Sequence, residues 1–229
     1  MRMVLQFIVF FAAGLFLLST KAVSQAQTGS NAIILPTWRA ESYAPQDFFG
    51  KILPAKGSRV TMSFDVVENG KVLEISGKTV YWHFNNKLIT TGRGIQSVTM
   101  RAPTGNMSIR IEVADISSGS VFSSFVVPVV SPEAVIERRS PYQAFSSRSF
   151  EVRALPYFFN VNDSSLLVFD WKINGVAPTS AQNPTSLTVG VGDGEVKQGS
   201  SVAVRLIVRN PVDIYESASR TNTFVFSGP

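Results

Sequence analysis

"FDWKINGV", Phe169 to Val176, sets Phe169, Trp171 and Ile173 on one side of an extended chain and Asp170 and Lys172 on the other, then closes on Asn174-Gly175. Alternation with period two marks a strand covered on one face. Asn-Gly suits a two-residue hairpin turn, because both residues tolerate positive φ. A similar shape stands earlier as "YWHFNNKL", Tyr81 to Leu88, with Trp82 and Phe84 on one side and Asn85-Asn86 after them. Two tryptophan strands that each run into a turn predict one unit written twice.

The flanks repeat as well. Val60, Met62, Phe64 and Val66 alternate with Thr61, Ser63 and Asp65, and the Glu68-Asn69-Gly70-Lys71 stretch that follows is a hairpin signal. Phe150 to Ala154 precedes Trp171 much as Val60 to Phe64 precedes Trp82. Downstream, Met107, Ile109, Ile111 and Val113 alternate with Ser108, Arg110 and Glu112; Val202, Val204, Leu206 and Val208 alternate with Ala203, Arg205 and Arg209. Each half closes on an apolar strand, "VFSSFVVPV" at 121–129 and "NTFVFS" at 222–227. Turn residues at Gly105-Asn106, Ser117-Ser118-Gly119, Asn160 to Ser165 and Asn210-Pro211 cut the chain into short strands. One-faced strands of this kind belong to antiparallel sheets packed face to face. The expected fold is therefore all-β: an N-terminal signal helix over 1–26, then two tandem β-sandwiches over 27–131 and 132–229, joined near Ser131-Pro132. Trp82 and Trp171 are the expected core plugs.

The turn after each tryptophan, followed by "APTGNMSIRIEVADISSGS" (102–120) or "QGSSVAVRLIVRN" (198–210), resembles the bacterial immunoglobulin-like and polycystic-kidney-disease (PKD) domains of exported surface proteins. PKD domains carry W-x-F-G-D-G and then p-G-x-Y-x-V-x-L-x-V. The second pattern is matched more fully than the first: Gly-Asp-Gly is missing from both turns, and Met107 or Val202 stands at the tyrosine position. The resemblance covers both halves and implies immunoglobulin-like sandwiches used for extracellular spacing, adhesion or attachment.

Met1 to Leu18, "MRMVLQFIVFFAAGLFLL", is one arginine and an apolar run broken only by Gln6. The run from Val4 is shorter than the roughly 20 residues of a spanning helix, so it reads as a secretory signal with cleavage after Ala26; an uncleaved anchor is the alternative and the only expected membrane contact. Export places the protein outside the cell, on its surface or in a periplasm. The chain has 21 basic and 16 acidic residues, formally +5, and loss of Arg2 and Lys21 with the signal lowers this to +3. Only Arg138-Arg139 places two basic residues together, so nucleic acid is not an expected partner. An exported chain without cysteine must hold by packing alone, for which 17 phenylalanines and three tryptophans are available.

One histidine and no cysteine remove thiol and imidazole triads and histidine-rich metal centres from consideration. His83, between Trp82 and Phe84, is expected on the outer face of its strand. Asp163, Asp193 and Glu195 lie in loop-like stretches without the spacing of a calcium loop, and Asp65 and Asp170 lie on polar strand faces. Gly190, Gly192 and Gly194 precede no helix that would complete a phosphate cradle, and both they and Gly92-Arg93-Gly94 read as flexible hairpin loops. No catalytic, cofactor-binding or metal-ligating residue is therefore expected, and no cofactor.

Two aromatic stretches call for cover. Tyr157, Phe158 and Phe159 are consecutive, and three neighbours on one strand cannot share one core, so a loop, a neighbouring domain or a ligand such as a sugar ring must shield one side. "SYAPQDFFGKILP", 42–54, reads as an irregular connection tucked over the first sandwich, with Trp38 closing the edge of that core. The expected function is a non-enzymatic structural or adhesive module of a bacterial cell envelope, its partner a protein or glycan there. The alternative is a carbohydrate- or peptide-binding protein that uses Tyr157 to Phe159 or a free sheet edge.

Overall fold

The computed structural model describes residues 32–116, 119–138, 144–178, 185–190 and 197–228. The signal segment, Asp193, Glu195, Gly192 and Gly194 lie outside them.

The first half contains β1 (Ala32–Glu41), β2 (Arg59–Glu68), β3 (Lys71–Val72), β4 (Thr79–Phe84), β5 (Lys87–Arg93), β6 (Ser97–Arg101), β7 (Met107–Ile116) and β8 (Gly119–Val127). In one sheet β2 pairs with β1 along one edge and with β3 and β6 on the other; the second sheet runs β5-β4-β7-β8. The second half contains β9 (Glu133–Arg138), β10 (Ala144–Phe145), β11 (Ser149–Tyr157), β12 (Val168–Ile173), β13 (Ser186–Gly190), β14 (Ser201–Arg209) and β15 (Ser217–Phe226). Its sheets run β9-β11-β13 and β10-β15-β14-β12. All these pairings are antiparallel except β10 with β15. Tryptophan strand, long alternating strand and closing strand lie side by side in both halves, opposite a sheet built on β2 or β11. This is the strand order of an immunoglobulin-like sandwich.

The alternation read from sequence is the burial pattern. Val60, Met62, Phe64 and Val66 of β2 face Val80, Trp82, Ile109, Ile111 and Val113 from the other sheet in one core. Phe150, Val152 and Ala154 share a second core with Trp171, Val204, Leu206, Val208 and Phe224. Trp82 is fully buried, meets Phe64 edge-on at 5.5 Å, and donates from Nε1 to the carbonyl of Ile95 at 2.8 Å. Trp171 is 4% exposed. The second core is closed by a run of rings, Phe145–Phe150 at 4.7 Å and Phe150–Phe224 at 4.9 Å.

The two tryptophan turns share one device. Asn85 has φ 46° and Asn174 has φ 49°. Each asparagine donates its N–H to the long strand paired with the tryptophan strand, β7 or β14, and accepts a return bond at Oδ1: Asn85 with Ser108 O and N, Asn174 with Ala203 O and N. After the first turn the chain returns as β5, with a bulge between Trp82 and His83 that twists this edge strand.

The glycine loops are corrected. Gly92 and Arg93 belong to β5, opposite Val80 and Thr79, and Gly190 ends β13 opposite Ser149, so none of the three lies in a flexible loop. Gly94 turns out of that strand at φ +66°, where a Cβ would lie 2.9 Å from Ser76 Cα. β1 is hidden in the sequence because the exposed Ile33 and Leu35 blur the alternation; Pro36 keeps it, half-buried opposite Phe64, and at an edge its missing N–H costs the ladder nothing.

Candidate functional site at the junction

The segment from Ser42 to Ser58 joins β1 to β2 and carries Pro45, Gly50, Pro54 and Gly57, too many breakers for a strand. Ser42 Oγ ties the two ends of the segment together by donating to Leu53 O at 2.7 Å, and the first sandwich holds it through Val130 N, which donates to Pro54 O at 2.9 Å, and through Trp38, whose half-buried ring lies 3.8 Å under Lys51 Nζ. Its middle does not lie on that sandwich, as the sequence suggested, but crosses to the second. Phe48 packs edge-on against Tyr157 at 5.6 Å and Phe158 at 6.0 Å, and Asp47 approaches Arg153 at 3.6 Å. Phe49, beside it, is 98% exposed.

The three consecutive aromatics do not share a strand. β11 ends at Tyr157, and Phe158 takes φ 62°, a left-handed conformation that costs a bulky side chain about 1–3 kcal/mol. The kink frees two backbone groups for the other half of the molecule: Phe158 N donates to Tyr43 O at 2.6 Å, and Tyr43 N donates to Phe159 O at 2.7 Å. Phe159 is fully buried in the second core, Phe158 is buried beside Phe48, and Tyr157 is half-buried. Burial first, and then the Asp47 and Glu137 carboxylates, hold the Tyr157 phenol above its ordinary pKa.

A polar chain continues the contact. Asn160 Nδ2 donates to Lys56 O at 2.7 Å, Ser58 Oγ donates to Asn160 Oδ1, and Asn160 N donates to Glu216 Oε1 at 2.6 Å. Glu216, 5% exposed, takes a further bond at Oε2 from Asn210 Nδ2 at 2.5 Å. A buried carboxylate is tolerable when N–H donors solvate it in place of water. The same pair clasps the β14–β15 loop, which presents Val212, Ile214 and Tyr215 to solvent at 93%, 79% and 86% exposure.

Between the halves these contacts leave a cleft of about 960 Å³. Asn160, Asn162, Ser164 and Asp163 stand on the second-sandwich wall, and the exposed Ile52, Leu166 and Val212 are among its apolar lining. Asp163 Oδ1 accepts from Ser165 N at 2.7 Å, and that bond lowers its pKa. The first-sandwich wall carries a charged row across three strands, Glu41 of β1 opposite Arg59 of β2, and Arg59 opposite Arg101 of β6. Arg59 Nε lies 3.7 Å from Glu41, and Arg101 donates to Gly57 O at 3.0 Å. None of the cleft residues except Asp163 was singled out from sequence as a site residue. The row is visible only once β1, β2 and β6 are in register.

His83 lies on the outer face of β4, half-buried, with Nδ1 enclosed and without a hydrogen-bond partner. Among the described residues no group of three or more His, Asp or Glu stands where it could hold a metal. No described helix is long and apolar enough to cross a membrane.

No protein-family model matches the sequence, and comparison with curated proteins gives no match. Among solved structures, the three N-terminal domains of the highly immunogenic outer capsid protein of bacteriophage RB49 match over 85% of this chain, with 14% identity and TM-score 0.44; the chain spans 59% of that structure's length. The fibronectin(III)-like modules of Clostridium thermocellum CbhA match over 85% of this chain and 94% of theirs, with 12% identity and TM-score 0.30. The Bacteroides ovatus protein SGBP-B, solved with a mixed-linkage heptasaccharide, matches over 83% of this chain and 47% of its own, with 11% identity and TM-score 0.26.

Proposed function

We propose that this chain is a non-enzymatic, exported structural or adhesive module of a bacterial cell envelope, working as two immunoglobulin-like domains, 27–131 and 132–229, held as one stiff body. The observation that carries this reading is the two-way backbone pairing of Tyr43 with Phe158 and Phe159, capped by the Asn160–Ser58–Glu216 chain. A module that transmits force or sets spacing needs a joint that does not swivel, whereas a simple linker leaves relative motion as the default. Export rests on the Met1 to Leu18 segment, with Gln27 as the first mature residue. In the producing cells the mature chain is expected outside the cytoplasm, starting at Gln27, and the purified chain is expected to bind isolated envelopes saturably. A Phe48→Ala/Asn160→Ala variant should bind them more weakly. A cytoplasmic product that retains Met1, or envelope binding indifferent to that variant, would contradict the reading.

A second reading, recognition of a carbohydrate or peptide, is favoured by the cleft itself, which falls in the size range of small-ligand sites and is walled by both halves. Tyr157 to Phe159 do not form an open platform for such a ligand, because Phe158 and Phe159 are buried.

A further inference from the structure

Arg59 and Arg101 are Cα partners on neighbouring strands, a like-charge pair that works against the sheet. One carboxylate, Glu41, faces two guanidiniums, and it meets Arg59 only at 3.7 Å with both side chains more than half exposed. Arg101 turns back to a carbonyl, which leaves most of its five donors unspent. The row therefore ends in Arg101, which has no ion pair among the described residues and lies in the lining of this cleft. A guanidinium suits a carboxylate because its planar fork gives two parallel bonds.

The facing wall is of another kind. Asn162 and Ser164 offer donors and acceptors in short side chains, the pairing set for hydroxyl groups. Asp163 accepts from Ser165 N at one oxygen and stays a charged carboxylate in the lining, and the Asn160 amide is fixed by Lys56 and Ser58. Tyr43, Leu166 and Val212 add apolar surface for C–H faces. An acidic peptide would also satisfy the arginines and brings one backbone donor and one acceptor per residue, whereas each sugar ring brings several hydroxyls, each both donor and acceptor, to the amide and hydroxyl wall.

We propose that this cleft binds an acidic oligosaccharide, its sugar carboxylate held by Arg101 and Arg59 and its hydroxyls by Asn162 and Ser164. The proposal rests on the recognition reading above and, because both halves wall the cleft, on the joint that holds them together.

The test is a glycan array bearing neutral, uronate and sialate chains, probed with the 27–229 chain, followed by calorimetric titration with tetragalacturonate, its neutral methyl ester and hexaglutamate. The expected result is retention of acidic glycans, with the ester at least tenfold weaker and hexaglutamate weaker still. Arg101→Gln should weaken binding at least tenfold without lowering the unfolding midpoint, and Arg205→Gln, at an exposed position of β14, should leave binding unchanged. Binding of neutral glycans alone would keep the recognition reading and overturn this one. An empty array, equal affinity for the ester, tighter binding of hexaglutamate, or an indifferent Arg101→Gln would each overturn the proposal. Relaxation measurements report the rigidity of the joint separately, which distinguishes a cleft that is held but does not bind from one lost because the joint swivels.

Discussion

At the scale of single residues, stability rests on a few side chains that fill or pin each sandwich. Trp82 is wholly enclosed and hydrogen-bonded to Ile95 O, so Trp82→Ala removes both its volume and a satisfied donor. The expected loss is about 3–5 kcal/mol in urea unfolding, and Trp171→Ala should fall in the same range. Trp82→Phe keeps most of the packing and should cost about 1–3 kcal/mol, chiefly for the stranded carbonyl. Asn85 and Asn174 matter for another reason: both sit at positive φ and hold the paired strand twice, by donating from the backbone N–H and accepting at Oδ1. Alanine at either site should lose about 1–2 kcal/mol, whereas Asn174→Gly should lose less because glycine accepts the same φ. The tryptophans were legible as apolar alternation, and the asparagines as turn formers. Their return bonds to Ser108 and Ala203 were not, because no local pattern says which strand will lie beside the turn.

At the scale of elements, strands with one apolar face declared themselves, and those without one did not. β2, β4, β7, β12 and β14 bury alternate residues and stood out in the sequence. β1 exposes Ile33 and Leu35, and β5, β6, β9 and β13 are short or half-exposed, so their places follow from what they pair with. The end of β5 gives a sharp prediction. Gly94→Ala would drive a Cβ onto the Ser76 backbone at a positive φ, so a clear fall in the melting temperature is expected, with no relief from repacking. The 42–58 segment gives another. Because the folded Tyr157 phenol titrates above its unfolded value, its contribution is fully present below about pH 10 and is lost as pH rises through the folded pKa. Stability measured from pH 9 to 12 should therefore fall with rising pH, and Tyr157→Phe should flatten that part of the profile.

At the scale of the whole molecule, the junction was the least legible feature. Its partners are far apart in the chain, Ser58 with Asn160 and Tyr43 with Phe159, and its segment is punctuated by proline and glycine and has no period to read. The aromatic run at 157–159 did announce that something must cover it, and the cover is Phe48 from the other sandwich together with the second core itself. We propose that this crossing makes one body of two sandwiches, and nitrogen-15 relaxation of the 27–229 chain reads that out. A single rotational correlation time shared by the strands of both halves, splitting into two shorter ones in the Phe48→Ala/Asn160→Ala variant, is the predicted result. Two short and different correlation times in the unaltered chain would contradict it.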